Sequence, residues 1–366
     1  MLISIICPNL NLGGAERVTV NLVNELLKRN YEVDLILLKK SGPFLKDLSN
    51  KCNLVTLNKK RARYSFFSLY KYLVSSKSIM LISTLRETSI LSGIVFKFPF
   101  IKQKLVLREA SPDMENSLIK KTIIRVSYNS ADIFISNSKF TMDFFEKDIF
   151  RPSKKTVKKI IIGNPLIDNN FEKRLEKEFN DEWLEDKKLK TIISCGRLDP
   201  VKRFDLLIKA FEIAYRFDDT LRLILIGNGE EYENINFLIV SLKLDKVVKI
   251  INFVSNPSRV FKKANLFVSC SKTEGFSNVL VEALASGIKV LSTNSGGPND
   301  ILDNGKYGKL IEIENEEDLA KEILVSLNEN QDIELNKKRA RYYSSENIVN
   351  QYLENIESVL NHENRK

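Results

Sequence analysis

Two doubly wound α/β domains are what this sequence predicts, and three observations predict them. Short aliphatic and β-branched runs alternate with stretches of helical period along the whole chain, the pattern of parallel strands joined by crossover helices. The chain has 366 residues, enough for two cores of ordinary size. Midway, Gly163-Asn164-Pro165 and a polar segment up to Lys188 interrupt the periodic pattern, relieved only near Trp183. The expected domains are therefore 1–165 and 166–345, with a terminal amphipathic helix over 346–361 packing back on the first.

In the first domain the strand candidates are Ile3 to Cys7, Val33 to Leu38, Ile79 to Thr84, Lys104 to Arg108, Ile133 to Ser136 and Val157 to Ile162, and the clearest helix is Ala15 to Arg29. The second domain offers strands at Lys190 to Cys195, Arg222 to Ile226, Val248 to Phe253, Leu266 to Ser269 and Lys289 to Ser292. Helices are expected at Phe204 to Tyr215, Glu230 to Leu242, Asn278 to Ser286 and Glu316 to Leu327. No repeat of solenoid period occurs. Open sheets of this kind bind ligands beyond the carboxyl ends of their strands, so the loops after strands are where chemistry is expected.

Composition removes several function classes. A hydrophobic content of 43% with 28% charge is that of a folded globular chain. Met1 runs straight into Leu2 to Cys7 without a basic leader, and no run approaches the roughly 18 to 20 apolar residues of a spanning helix, so a cytoplasmic location is expected. The four scattered cysteines, Cys7, Cys52, Cys195 and Cys270, fit a reducing compartment. His362 is the only histidine, which leaves a Ser-His-Asp triad or a histidine-rich metal site without raw material. No Asp-x-Asp string occurs, and neither a metal nor a cofactor is expected. Residues 1–165 hold 28 Lys+Arg against 13 Asp+Glu, or +15, whereas residues 166–366 hold 29 against 34, or −5. The basic half lacks any nucleic-acid reader motif. Its interleaving of cations and rings in Lys59-Lys60-Arg61-Ala62-Arg63-Tyr64-Ser65-Phe66-Phe67 suits an anionic membrane surface, although any one such cluster also reads as a solvated face.

Three loops carry the chemistry. After Leu266 to Ser269 comes a tight turn with Glu274, Gly275, Phe276 and Ser277, then a helix bearing Glu282. The first turn of a helix leaves its donors unpaired, so the amides of Ser277, Asn278 and Val279 could cradle a diphosphate, with the two carboxylates accepting from sugar hydroxyls. The plain reading is that Ser277 caps the helix and both glutamates are solvated. After Lys190 to Cys195, Arg197 and Lys202 stand where a cation is electrostatically unfavourable for the helix but suited to a leaving diphosphate. After the first strand, Gly13 and Gly14 open a helix and could bring backbone close to phosphate, which is weak evidence alone. Gly227-Asn228-Gly229 reads as a structural turn.

Taken together, the Gly13 to Arg17, Gly196 to Lys202, Gly227 to Gly229 and Glu274 to Glu282 strings resemble glycosyltransferase family 4, retaining enzymes of the GT-B fold, in which two Rossmann-like domains face each other across a cleft. The resemblance implies that Arg197 and Lys202 bind the donor diphosphate, Glu282 the ribose, Glu274 with Gly275, Phe276 and Ser277 the donor hexose, and Asn278 and Val279 the phosphate, with the base near Val254. It implies a nucleotide diphosphate sugar as donor and a lipid-linked or oligosaccharide acceptor, at the inner face of the cell membrane. Where many relatives carry a histidine, this chain has Leu107 to Pro112, and Arg108 or Glu109 is the candidate for that acceptor-side space. Two other readings are a nucleotide-sugar epimerase, which the shortage of acid and base groups disfavours, and a silent partner subunit, which the intact charged set disfavours.

Overall fold

The computed structural model describes residues 1–112, 117–150, 156–252, 254, 256–312 and 315–363. It divides into two compact units, Met1–Leu166 with Ser344–Lys366, and Ile167–Tyr343. Strands β1 (Leu2–Cys7), β2 (Glu32–Leu37), β3 (Asn53–Thr56), β4 (Met80–Ser83), β5 (Lys104–Glu109), β6 (Ile133–Ser136) and β7 (Lys158–Ile161) build the sheet of the first unit. Their order is β3-β2-β1-β4-β5-β6-β7, and all pairs are parallel. The second unit carries β8 (Lys190–Cys195), β9 (Leu221–Ile226), β10 (Val248–Ile251), β11 (Leu266–Ser269), β12 (Lys289–Thr293) and β13 (Lys309–Ile311), again parallel, in the order β10-β9-β8-β11-β12-β13.

Parallel strands must be covered on both faces by their crossover helices, and the central strands are accordingly uninterrupted aliphatic runs. In β1 every residue from Ile3 to Cys7 is fully buried, and Ile192, Ile193, Phe267 and Val268 are the equivalents in β8 and β11. Each unit has its own core, with Ile6, Leu81, Leu105 and Phe134 in the first and Ile192, Leu223, Phe211 and Leu266 in the second. The edge strands β3 and β13 escape the sequence pattern because each is only half-buried and short. The expected strand Val248 to Phe253 ends at Ile251, and Phe253 lies outside the described residues.

The polar segment after Pro165 is part of the second unit. It folds into two short helices, Phe171–Leu175 and Glu182–Glu185, and its Trp183 lies under the Lys249 ammonium, 3.9 Å from the ring centroid. Asp181 pairs with the same ammonium at 2.6 Å. The last helix, Ser345–Glu363, belongs to the first unit, where it packs on the helix Gly14–Lys28. Arg29 donates to the Glu346 carbonyl at 2.8 Å and to the Asn350 side chain. Among the described residues no helix is long and apolar enough to cross a membrane.

At the start of β8, Lys190 meets Asp218 at 2.9 Å, and the Thr220 hydroxyl with this ammonium lowers the Asp218 pKa. A carboxylate whose folded pKa is depressed adds stability above its unfolded pKa of about 3.9, and that stability is lost as pH falls through the folded value. Asp218→Asn should therefore lower the thermal midpoint at neutral pH and lose its effect in acid, as followed by circular dichroism; a penalty of the same size at both pH values would contradict the pairing.

Candidate functional site

The second sheet reverses its winding between β8 and β11. These neighbours send their connections in opposite directions, which opens a notch at their carboxyl ends. The loop after β8 supplies Gly196 to Lys202 and the loop after β11 supplies Cys270 to Ser277, so two strings more than seventy residues apart meet there. The Lys202 ammonium is bonded to the Glu274 carboxylate, with both side chains about one-fifth exposed (21% and 17%). Ser271 donates its hydroxyl to the same Glu274 oxygen at 3.3 Å, and the Lys272 amide donates to the Val201 carbonyl at 2.8 Å, tying the two loops together.

Backbone contacts fix this arrangement. The Glu274 amide donates to the Ser295 carbonyl at 2.8 Å, and the Gly297 amide donates back to the Glu274 carbonyl at 2.7 Å. A Cβ at Gly297 would stand 2.4 Å from the Gly275 carbonyl oxygen, so the two turns approach as closely as backbone allows. Gly227 plays the same part behind the β8 loop, since a Cβ there would stand 1.9 Å from the Gly196 oxygen and its φ is +155°. The Gly227 to Gly229 turn is thus structural.

The helix Asn278–Ser286 starts inside the notch. Ser277 occupies the capping position, yet its hydroxyl caps nothing; it is buried, 1% exposed, and makes no hydrogen bond. That corrects the plain reading of Ser277 as a cap. It leaves the first-turn amides of Asn278 and Val279 without a side-chain acceptor from that residue, at the end of the helix that favours anions. Glu282, one turn further on, is half-buried, and its charge helps burial push the neighbouring Cys195 thiol up to about 12 while Lys202 opposes the shift. Lys202, Glu274 and Glu282 therefore surround the end of one strand. Gly275 is buried in the turn.

Arg197 stands apart. Its side chain is 79% exposed and meets the Asp199 carboxylate at 2.7 Å. Asp199 also accepts from the amides of Val201 and Lys202 at 3.1 and 3.2 Å and so caps the short turn Pro200–Lys202. This solves the problem of cations at a helix start, because the turn has its own acidic cap and Arg203, in left-handed backbone (φ +53°), separates it from the helix Phe204–Phe217. Asp199 was legible as an Asp-Pro start signal, and Ser271 as the first residue of a Ser-x-x-Glu spacing. Ser295, whose hydroxyl is also buried without a partner, leaves no such signal. Phe276 is 7% exposed, and its ring packs edge-on against Tyr343 at 5.3 Å. Val254 is half-buried beyond β10, between residues outside the described set.

Residues 175–345 match the model of the family described as Glycosyl transferases group 1. Over 84% of this chain and 85% of the relative, the sequence is 30% identical to the N-acetylgalactosamine-N,N'-diacetylbacillosaminyl-diphospho-undecaprenol 4-alpha-N-acetylgalactosaminyltransferase of Campylobacter jejuni. The chain belongs to this family. A second Campylobacter jejuni relative, a GalNAc-alpha-(1->4)-GalNAc-alpha-(1->3)-diNAcBac-PP-undecaprenol alpha-1,4-N-acetyl-D-galactosaminyltransferase, is 28% identical over 99% of both chains. The Anabaena protein Alr3699/HepE, solved with UDP and glucose, superimposes on the glycosyltransferase with a TM-score of 0.79 at 18% identity, covering 98% of this chain and 100% of that one. The fold is GT-B. Membership sets aside the epimerase reading.

In the first unit of the transferase the acceptor-side candidates are interior residues. Arg108 and Glu109 lie at the end of a central strand buried on both faces, and are 0% and 3% exposed. Arg108 donates to the Thr84 carbonyl at 3.3 Å and to the Asn164 side chain. Glu109 accepts from Arg86 at 3.0 Å and from the Tyr128 hydroxyl. Both are buried charges with partners inside the unit, and the Arg108 Nε is buried without one. Gly13 and Gly14 do stand at a helix start after β1, with Gly13 in ordinary extended backbone. Glu16 folds back over that start, its carboxylate 2.1 Å from where a Gly13 Cβ would be, and burial raises its pKa. A carboxylate thus lies beside the glycine turn.

The two cations differ in what their loss should do to the folded protein. Removing Lys202 leaves the Glu274 carboxylate short of its partner in a largely covered position, whereas Asp199 keeps two amide donors without Arg197. Lys202→Ala should cost about 1–3 kcal/mol in urea unfolding, and Arg197→Ala should stay within about 0.5 kcal/mol of wild type. Equal losses would show that the exposed pair had been misjudged.

Proposed function

We propose that this glycosyltransferase moves an N-acetylhexosamine or hexose from a nucleotide diphosphate sugar, with uridine as the first base to test, to a hydroxyl of a lipid-linked saccharide, with retention at the anomeric carbon. The observation that carries the reading is the Lys202–Glu274 pair at the head of the helix Asn278–Ser286, with Glu282 one turn on. An ammonium has three donors, so Lys202 can keep Glu274 and still bind a diphosphate oxygen. Arg197, exposed on its loop, is free to swing from Asp199 toward a second oxygen, and the amides of Asn278 and Val279 add dipoles of the same sign. These groups oppose the charge that grows on the leaving diphosphate as the glycosidic bond breaks. No divalent cation is then required. Glu282 accepts from the ribose hydroxyls and Glu274 from the hexose, and the leaving phosphate takes the acceptor proton on the face it departs from, which yields retention without a dedicated base. The names of the two Campylobacter jejuni relatives support an undecaprenol-linked acceptor and an N-acetylated sugar. Such an acceptor lies at a membrane, and the +15 of residues 1–165 supports a peripheral position on its inner, anionic face in cell-surface polysaccharide synthesis.

Incubation with a panel of nucleotide sugars, with detection of released nucleotide diphosphate and NMR of the product anomer, tests donor and stereochemistry together. Arg197→Ala and Lys202→Ala should each slow turnover at least about tenfold, the effect of roughly 1.4 kcal/mol in the transition state; unchanged turnover in both would remove the diphosphate assignment. By calorimetry Glu282→Ala should weaken binding of the bare nucleotide diphosphate, while Glu274→Ala should leave that binding and lose transfer. Equal loss of nucleotide binding in both variants would overturn the division of roles. Activity should survive EDTA, and abolition reversed by magnesium or manganese would refute the metal-free mechanism.

A further inference from the structure

Residues 48–108 hold twelve Lys or Arg and a single acidic residue, Glu87. The fold gathers part of this segment around an aromatic group whose members come from two places in the chain. The helix Phe66–Ser75 opens with Phe66 and Phe67, and the turn after the helix Arg86–Val95 carries Phe98-Pro99-Phe100. Phe66 meets Phe98 edge-on with centroids 4.8 Å apart and Phe67 at 5.2 Å. Tyr70 reaches Phe98 at 6.3 Å and donates its hydroxyl to the Pro99 carbonyl at 3.1 Å. The turn is thereby fastened to the helix.

This group points outward. Phe67 is 82% exposed and Phe100 75%, well beyond what scattered surface residues need. Phe100 also has a φ of +69°, a left-handed conformation that costs a bulky residue energy, and the ring so placed gains no burial in return. Exposed Lys59, Lys60, Arg61 and Arg63 lead into the helix on one side, and exposed Lys97 and Lys102 flank the turn on the other. Fixed rings bordered by cations match a bilayer interface, where aromatic side chains sit at headgroup depth and Lys or Arg pair with anionic lipid. A protein partner would not account for the one-signed border as directly.

We propose that Phe67 and Phe100 form a preassembled wedge that inserts into an anionic bilayer, with the surrounding cations holding it there. The inference rests on the peripheral membrane reading above and adds to it a hydrophobic component that salt cannot screen. Vesicles of phosphatidylglycerol mixed with phosphatidylcholine provide the test. Replacing Lys59, Lys60, Arg61 and Arg63 with Gln should abolish most binding at low salt. The double variant Phe67→Ser, Phe100→Ser should lose at least about tenfold in partitioning at low and high salt alike. Transfer to a soluble acceptor fragment should persist in both variants, which shows that they fold. Depth is read directly by Phe100→Trp, because the chain contains one tryptophan, Trp183 in the other unit, as an internal control. Fluorescence of the new indole should be quenched by lipids brominated on their acyl chains, and that of wild type should not. Wild-type binding with no quenching of Phe100→Trp would overturn the wedge and leave the charge-based reading standing; no wild-type binding at low salt would overturn both.

Discussion

The site exists because two neighbouring parallel strands send their chains in opposite directions. Between β8 and β11 no crossover helix can lie over the carboxyl ends, so the loops that follow must line a notch together. Everything placed there follows from that constraint: Lys202 from one loop finds Glu274 from the other, the Lys272 amide finds the Val201 carbonyl, and the helix Asn278–Ser286 begins with its amides facing the gap. The glycines behind these loops serve the same geometry, since any side chain at Gly227 or Gly297 would push one loop off its neighbour's backbone.

Both cations of the notch are paired before any donor arrives. Lys202 is matched by Glu274, and Arg197 by Asp199. Internal matching prevents a bare cluster of like charges from straining the loops apart. It also means that an incoming diphosphate competes with, or adds to, carboxylates already in place. The two pairs are unequal in this respect. Arg197 is in solvent and reorients cheaply, whereas Lys202 lies along Gly196 with its Cε 3.4 Å from that residue's Cβ position and is held to one direction.

Much of this was legible in the sequence, and the failures have physical causes. The central strands announced themselves as aliphatic runs, and the Glu274 to Glu282 string combined a turn, a helix start and two carboxylates at spacings that composition alone would not produce. Arg108 and Glu109 were the candidates for the space where many relatives carry a histidine, and the sequence does not show that both are buried. Their partners Arg86, Tyr128 and Asn164 lie far away in sequence, and only the fold shows that these consume the charges. Ser277 had the right residue type for a cap, but capping depends on a side-chain rotamer that no pattern encodes. The edge strands β3 and β13 lack a fully buried face and hence the run that marks a strand. Phe98 reads as an ordinary apolar residue until the fold sets it against Phe66 and Tyr70.

The second unit is one continuous stretch, Ile167–Tyr343, interposed within the first, which is closed only by Ser345–Glu363. Synthesis therefore completes the second unit while the first still lacks the helix that covers Gly14–Lys28 and supplies Ser358 to Lys158. A later segment finishes the earlier unit. A nascent chain thus exposes the flank of Gly14–Lys28 until residues 345–363 have emerged, and a stop near residue 344 would spare the second unit while leaving the first open. Integrity of the first unit thus reports that residues 345–363 have been made.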